Sequence, residues 1–279
     1  MTDPRTAAVP GPGGVTPPGP LHAAGPPAAP LPDSLAEAAH RLFGSRLDLA
    51  LSFAELLATD GVLRGLVGPR EAPRMWDRHM LNCAAVSELI PIGASVLDVG
   101  SGAGLPGMVL AVARPDLTVT LVEPLARRTA FLEEAVTHLG LAGAVTVLRA
   151  RAEECAAGPH ASGLIPADIV TARAVAPLDR LAGWCLPLVA LGGRLLALKG
   201  ASAAAEVASH AAAVGGLGGA PPVVRSCGAG LIDPPATVVE VVRERIVAPP
   251  RSRPPRGAVR SDRRSRGEGG SERGRARRG

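Results

Sequence analysis

The sequence predicts an α/β fold, a mostly parallel sheet of seven strands with helices on both faces, ending in an antiparallel hairpin. Three observations carry this. Between Ser95 and Lys199, short apolar runs bounded by turn residues alternate with amphipathic stretches, the pattern of strands buried beneath helices on both sides. A glycine-rich segment follows the first such run and opens the next helix. Two β-like segments near the end, about 222–227 and 237–246, have no helix between them, so they read as an antiparallel pair.

Three helices are expected ahead of the sheet. Asp33 or Ser34 can cap the first, Leu35 to Phe43, with Glu37 at capping-box spacing from Ser34. The second runs from about Leu47 to Leu57, where apolar positions recur at three and four residues. Gly61, Gly65, Gly68 and Pro69 interrupt the pattern. A third helix runs from about Pro73 to Leu89 and contains Trp76-Asp77-Arg78-His79. The sheet then begins with a strand at 95–99. A helix from Pro106 to Ala113 follows, then a strand at 117–123 and a helix from Leu125 to Leu139. Strands at 144–149 and 167–172 come next, then a helix after Pro177 and a strand at 193–199. An alanine-rich helix leads to the hairpin, whose loop holds Asp233-Pro234-Pro235. No internal repeat occurs.

Composition sets the domain limits. Residues 1–32 are mostly Pro, Gly and Ala; such a segment buries too little apolar surface to offset its ordering entropy and is expected to be disordered. Residues 249–279 form a second, Arg-rich tail. Within 251–279, eleven arginines stand against Asp262, Glu268 and Glu272, leaving the tail about +8. The whole chain is +5, so the remainder is about −3. The tail is either a handle for a phosphate backbone or a solvated extension. Between the tails lie a helical part, 33–92, and the α/β domain, 93–248.

No apolar run is long enough to span a membrane, and no basic segment followed by an apolar one marks an export signal. Cys83, Cys155, Cys185 and Cys227 are scattered, with no C-x-x-C pair. They read as buried reduced thiols of a cytoplasmic protein with no metal site. Lys199 is the only lysine among 30 basic residues. A lone lysine suggests a place that wants a compact ammonium rather than a planar guanidinium.

The most informative segment runs from Asp98 to Gly107, DVGSGAGLPG. Glycines let a backbone turn sharply and admit a ligand closely. Two cofactors compete for such a turn. Gly102, Gly104 and Gly107 fit the dinucleotide pattern G-x-G-x-x-G, with Glu123 placed to hold a ribose. The same residues fit D-x-G-x-G-x-G over Asp98, Gly100, Gly102 and Gly104. A carboxylate beside a pyrophosphate would be repelled, whereas one beside the ammonium or sulfonium of S-adenosylmethionine would be attracted. Asp98 thus favours S-adenosylmethionine, with Glu123 accepting from both ribose hydroxyls.

Several segments then match one family in order: Arg78-His79-Met80-Leu81-Asn82, the glycine turn with its Leu-Pro-Gly, Arg151-Ala152-Glu153-Glu154, Ala172-Arg173-Ala174-Val175-Ala176 and Ala197-Leu198-Lys199-Gly200. Over about 41–246 the chain resembles the RsmG (GidB) family, the ribosomal RNA small subunit methyltransferase G. The two tails lie outside the family pattern, and the family's Trp-Asn and Asn-Leu-Thr segment in the helical part is missing. The resemblance implies a Rossmann-like class I methyltransferase domain at 93–248. It also implies S-adenosylmethionine as cofactor and a guanine N7 in the 530 loop of 16S rRNA, free or within the 30S subunit, as substrate. Carried over by position, the cofactor contacts are Gly100, Leu105, Ala152, Glu153 and Arg173, joined by Asp98, Gly102, Gly104 and Glu123 from the turn and strand two. Arg173 and Lys199, at the ends of strands four and five, are the residues expected to orient the reactants. A monomer is expected.

Guanine N7 carries an in-plane lone pair and no proton, so its methylation needs no general base and rests on positioning. An exocyclic amine would call for Asn or Asp-Pro-Pro-aromatic after strand four, where this chain has Thr171-Ala172-Arg173-Ala174. A cytosine C5 would call for a cysteine there. Trp76 and Trp184 read as core residues, and Asp233-Pro234-Pro235 as a turn. Two other classes stay open: a small-molecule methyltransferase and a non-catalytic rRNA-binding assembly factor on the same fold.

Overall fold

The computed structural model of the chain describes residues 30–156, 164–173 and 176–247. The tails expected at 1–32 and 249–279 therefore fall outside the described residues, except for positions 30–32.

Helix α1 (Asp33–Phe43) and helix α2 (Leu47–Leu56) lead the chain. The expected Ser34 cap is not formed. The helix already includes Asp33, its N-cap is Pro32, and no side chain caps it; proline's fixed φ pre-sets the first turn instead. The turn of α2 widens into a π-turn at Leu57–Gly61. The helix expected over 73–89 is also not uniform. It runs as a 3-10 turn at Ala72–Arg74, a π-turn at Met75–Met80, helix α3 (Leu81–Ala85) and a 3-10 turn at Val86–Leu89. The wide turn frees backbone carbonyls, and Asn82 answers two of them, Nδ2 donating to Asp77 O at 3.0 Å and Arg78 O at 3.3 Å.

The remaining elements are β1 (Ser95–Val99), α4 (Gly107–Ala113), β2 (Thr118–Val122), α5 (Ala126–His138), β3 (Val145–Leu148), α6 (Ala152–Ala156), β4 (Ala167–Arg173), α7 (Leu178–Cys185), β5 (Val189–Lys199), α8 (Ala203–Gly216), β6 (Val223–Cys227) and β7 (Ala236–Val242). The strands form one sheet in the order β3-β2-β1-β4-β5-β7-β6. β3, β2, β1, β4 and β5 run parallel; β7 lies antiparallel to β5, and β6 to β7. The terminal hairpin thus appears, with its second strand inserted next to β5. β5 starts four residues earlier than the sequence suggests, with a register shift against β4 between Ala167 and Ile169. Short α6 covers Ala152 and Glu153 and carries Cys155.

Strand residues alternate between two cores, as a period of two requires. Leu97, Val99, Val170, Ala172, Leu195 and Ala197 face the core beneath α7. Val96, Ile169, Leu121 and Leu196 face the opposite core, which also takes in Phe53, Met80 and Phe131. The N-terminal helices therefore share one core with the sheet. Strand order reverses between β1 and β4, and in such sheets a crevice opens at the carboxyl ends of the strands at that point.

Candidate active site

That crevice is a cavity of about 690 Å³. The register explains who meets there. Val99 pairs with Val122 on one side and Ala172 on the other, so Gly100, Glu123 and Arg173 leave three adjacent strand ends together.

The glycine turn forms its floor. Gly100, Gly102 and Gly104 adopt φ of 72°, 60° and 98°, the left-handed region that L side chains rarely occupy. At Gly102 the turn leaves open space where a side chain would project, its closest approach being Gly100 O at 3.9 Å. Glu123 is 1% exposed yet lines the cavity. Its Oε2 accepts from Gly102 N–H and its Oε1 from Leu125 N–H, both at 3.0 Å. These bonds lock the carboxylate while leaving each oxygen a lone pair for a diol. Arg128 Nη1 sits 3.5 Å from Glu123 Oε2. Leu105, Ala152 and Glu153 complete the expected lining.

Asp98 is placed differently from its expected role. It lies behind the turn, fully buried and off the cavity, because period two turns it to the face of α4. Its Oδ1 accepts from Thr171 Oγ1 at 2.8 Å, its register partner on β4, and its Oδ2 from Gly107 N–H at 3.1 Å. Burial raises its pKa to about 6, opposed by these hydrogen bonds. Asp98 therefore braces the strand-to-helix turn rather than touching a cofactor ammonium. Gly104 is likewise a packing glycine: a Cβ there would come within 2.7 Å of Met108 Cγ.

Arg173 reaches the cavity at the end of β4 and is held by three neighbours. Its Nη2 donates to His79 Nδ1 at 2.7 Å and lies 3.4 Å from Arg78 O, and its Nη1 approaches Cys83 Sγ at 3.3 Å. His79 Nε2 in turn meets Glu71 Oε2 at 2.9 Å. Burial first, and then the Arg173 guanidinium, lower the His79 pKa to about 4 against the pull of Glu71. The ring is thus neutral at physiological pH, accepting at Nδ1 and donating at Nε2. Glu71, His79 and Arg173 form a fixed chain. Sequence reasoning named His79 without a role and missed Glu71, which follows a glycine break and carries no local signal. Trp184, expected in the core, packs half-buried against it, and it also lines the cavity and lies beneath Arg180 at 5.7 Å. Trp76 is a core residue as expected, packed edge-on against Phe43.

Lys199 is apart from this group. Its side chain is 7% exposed, and Nζ donates to Glu206 Oε2 at 2.7 Å and Ala176 O at 2.8 Å. It faces a second cavity of about 910 Å³, which shares Arg78 and Arg173 with the first. Asp233-Pro234-Pro235 is a turn, as expected, and its prolines wall this second cavity.

Residues 46–232, well over half of the chain, match the family described as GidB, rRNA small subunit methyltransferase G. The chain belongs to this family. It is 68% identical over 223 residues to the ribosomal RNA small subunit methyltransferase G of Salinispora tropica, covering 80% of this chain and 92% of that protein. The protein of the same name from Salinispora arenicola is 65% identical over 234 residues, covering 84% and 94%. That of Corynebacterium efficiens is 49% identical over 240 residues, covering 86% and 99%. The chain is thus an rRNA methyltransferase with the Rossmann-like architecture of its class. Its four cysteines are free and buried, no described cluster of His, Cys, Asp or Glu could hold a metal, and no described helix is long and apolar enough to cross a membrane.

Proposed function

We propose that the chain transfers a methyl group from S-adenosylmethionine to guanine N7 in the 530 loop of 16S rRNA. The observation that carries the cofactor part is Glu123, a carboxylate pinned by two backbone N–H groups at the rim of a cavity floored by a glycine turn. That arrangement fits a nucleoside diol. Gly100 and Gly102 allow close approach of the methionine portion, while Leu105, Ala152 and Glu153 line the same cavity. The cofactor supplies an electrophilic methyl on a sulfonium centre.

The residues of this chain supply position rather than proton transfer. Guanine N7 has no proton to lose, and the nearest imidazole, His79, has both nitrogens engaged. Arg173, fixed by His79 and Arg78, presents a guanidinium between the two cavities, where it can hold a cofactor carboxylate or an RNA oxygen. Family membership supports the rRNA substrate, and Thr171-Ala172-Arg173-Ala174 at the end of β4, in place of Asn or Asp-Pro-Pro-aromatic, supports the ring nitrogen over an exocyclic amine.

The test is transfer of labelled methyl from S-adenosylmethionine by purified protein to 30S subunits and 16S rRNA lacking the modification. One equivalent of 7-methylguanine in the 530 loop is expected. Methylation elsewhere, or of small molecules only, would overturn the reading. Replacing Arg173 with Ala should lower kcat by at least about tenfold while the thermal midpoint stays within a few degrees of wild type. Equal losses in both would make Arg173 a structural residue.

A further inference from the structure

The second cavity meets the first at Arg78 and Arg173, and the one carboxylate on its wall is Glu206. Its Oε2 is tied to Lys199 at 2.7 Å and its Oε1 lies 3.3 Å from Ser202 Oγ. The Leu178 backbone N–H also bears on it, and its side chain keeps 23% of its exposure, which leaves the carboxylate open to a ligand. Burial raises its pKa, but the hydrogen bond and charge of Lys199 outweigh burial and lower it overall. It is ionised at neutral pH. Asn82 also lines the wall; its Nδ2 donates to two backbone carbonyls, and its Oδ1 is buried without a partner. The adjoining Leu198 and Pro235 are apolar. A volume of about 910 Å³ is of the size that ligand sites have.

A carboxylate on a pocket wall selects a ligand edge made of donors. Among the four RNA bases, guanine presents two adjacent donors, N1–H and the 2-amino group. Adenine presents an acceptor at N1, and uracil has a single ring N–H. A carboxylate is the group that takes both guanine donors at once.

We infer that this second cavity receives the flipped target base, and that Glu206, oriented by Lys199, reads the N1–H and 2-amino edge of guanine. The inference rests on the function proposed above and adds the specificity residue to it. The guanine edge opposite N7 then meets Glu206, leaving N7 free toward Arg173 and the first cavity. Methylation at N7 forms a new N–C bond from the ring lone pair and leaves the base cationic. The charge spreads over the ring and makes N1–H a stronger donor. The bond to Glu206 tightens as the methyl moves, an interaction stronger in the transition state than in the ground state. The lone lysine acquires a physical reason: a compact ammonium fits a slot 7% exposed and makes two bonds there, holding the carboxylate without filling the cavity.

The test uses the full chain and 30S subunits reconstituted with 16S rRNA bearing guanosine or inosine at the target position. Inosine keeps N7, O6 and N1–H and lacks only the 2-amino group. Wild type is expected to prefer guanosine by about five- to a hundredfold in kcat/KM. Glu206→Gln should lower kcat on guanosine and bring that ratio toward one, with S-adenosylmethionine affinity within threefold of wild type. The cofactor measurement also reports folding; if Glu206→Gln does not fold, Glu206→Asp keeps the charge and should still weaken the preference. A variant that methylates guanosine with the full wild-type preference over inosine would overturn the inference. Absence of any 7-methylguanine from the wild-type reaction would instead sink the proposed function.

Discussion

Two buried titratable groups, His79 on the cavity wall and Asp98 behind the glycine turn, are displaced in opposite senses. His79 is held neutral, its pKa drawn from 6.5 to about 4. Between those values the unfolded chain binds a proton that the folded chain refuses. Its contribution is full above pH 6.5 and is lost as pH falls toward 4. Asp98 moves from 3.8 to about 6, so over nearly the same window the folded chain holds a proton that the unfolded chain releases, and folding gains on acidification. Each displacement is worth about 3 kcal/mol, and the two largely cancel. His79→Gln removes one side of the balance. Relative to wild type, its unfolding free energy should rise by about 2 kcal/mol on going from pH 7 to pH 5, read from urea denaturation at both. Parallel pH dependence in the two proteins would show that His79 is not buried neutral.

At the same scale, Gly102→Val should abolish S-adenosylmethionine binding in calorimetry, because its side chain would project into the open floor of the first cavity at a φ of 60°. Affinity within about threefold of wild type would rule the site out. Lys199→Arg should impair turnover, because a guanidinium is too broad for the slot between Ala176 and Glu206. Glycines and Glu123 were legible in the sequence, since a turn after a strand leaves few other reasons for that spacing. Asp98 was legible as important but not in its direction, which depends on strand parity and on α4 closing over it. Glu71 and Glu206 were not legible, because each finds its partner only through the fold: Glu71 meets Arg173 through His79, and Glu206 meets the end of β5.

At the scale of elements, the glycine turn works because α4 packs tightly on β1 and β2. A Cβ on Gly107 would fall 2.4 Å from Leu121 Cδ2 and 2.7 Å from Asp98 Cβ. Gly107→Ala should therefore cost about 1–3 kcal/mol through overpacking, seen as a lower melting midpoint; an unchanged midpoint would mean that α4 shifts freely. The strands were read from alternation with errors of a few residues, chiefly at the start of β5, where Gly192 and Gly193 hide a strand that continues through them. The helix at 73–89 was legible as helical but not in its π-turn. Periodicity reports which side is apolar, whereas the extra residue at Met75–Met80 is set by the carbonyls that Asn82 satisfies. Such turns recur at functional sites, and this one delivers Arg78 and His79 to Arg173.

At the scale of the molecule, sheet order brings residues from 71 to 237 to one edge. The order itself could be anticipated only as a class, because which strand neighbours which is decided by crossovers that no local pattern encodes. The N-terminal helices share the core under β1, β2 and β5, so activity and stability of the helical part should fall together. Residues 33–248 alone are expected to melt cooperatively, since the apolar periodicity lies within them; insoluble protein after removal of the tails would place the boundaries wrongly. Deleting 249–279, with its net charge of about +8, should flatten the salt dependence of rRNA binding.

On this reading the cavity pair makes one 7-methylguanine in small-subunit rRNA. The most direct measurement is chemical-cleavage mapping of 7-methylguanosine in 16S rRNA from a strain lacking the gene, complemented with wild type or with Arg173→Ala. Deletion is expected to remove the 530-loop modification, wild type to restore it and Arg173→Ala to restore little of it. A deletion strain that keeps the full modification would contradict this reading.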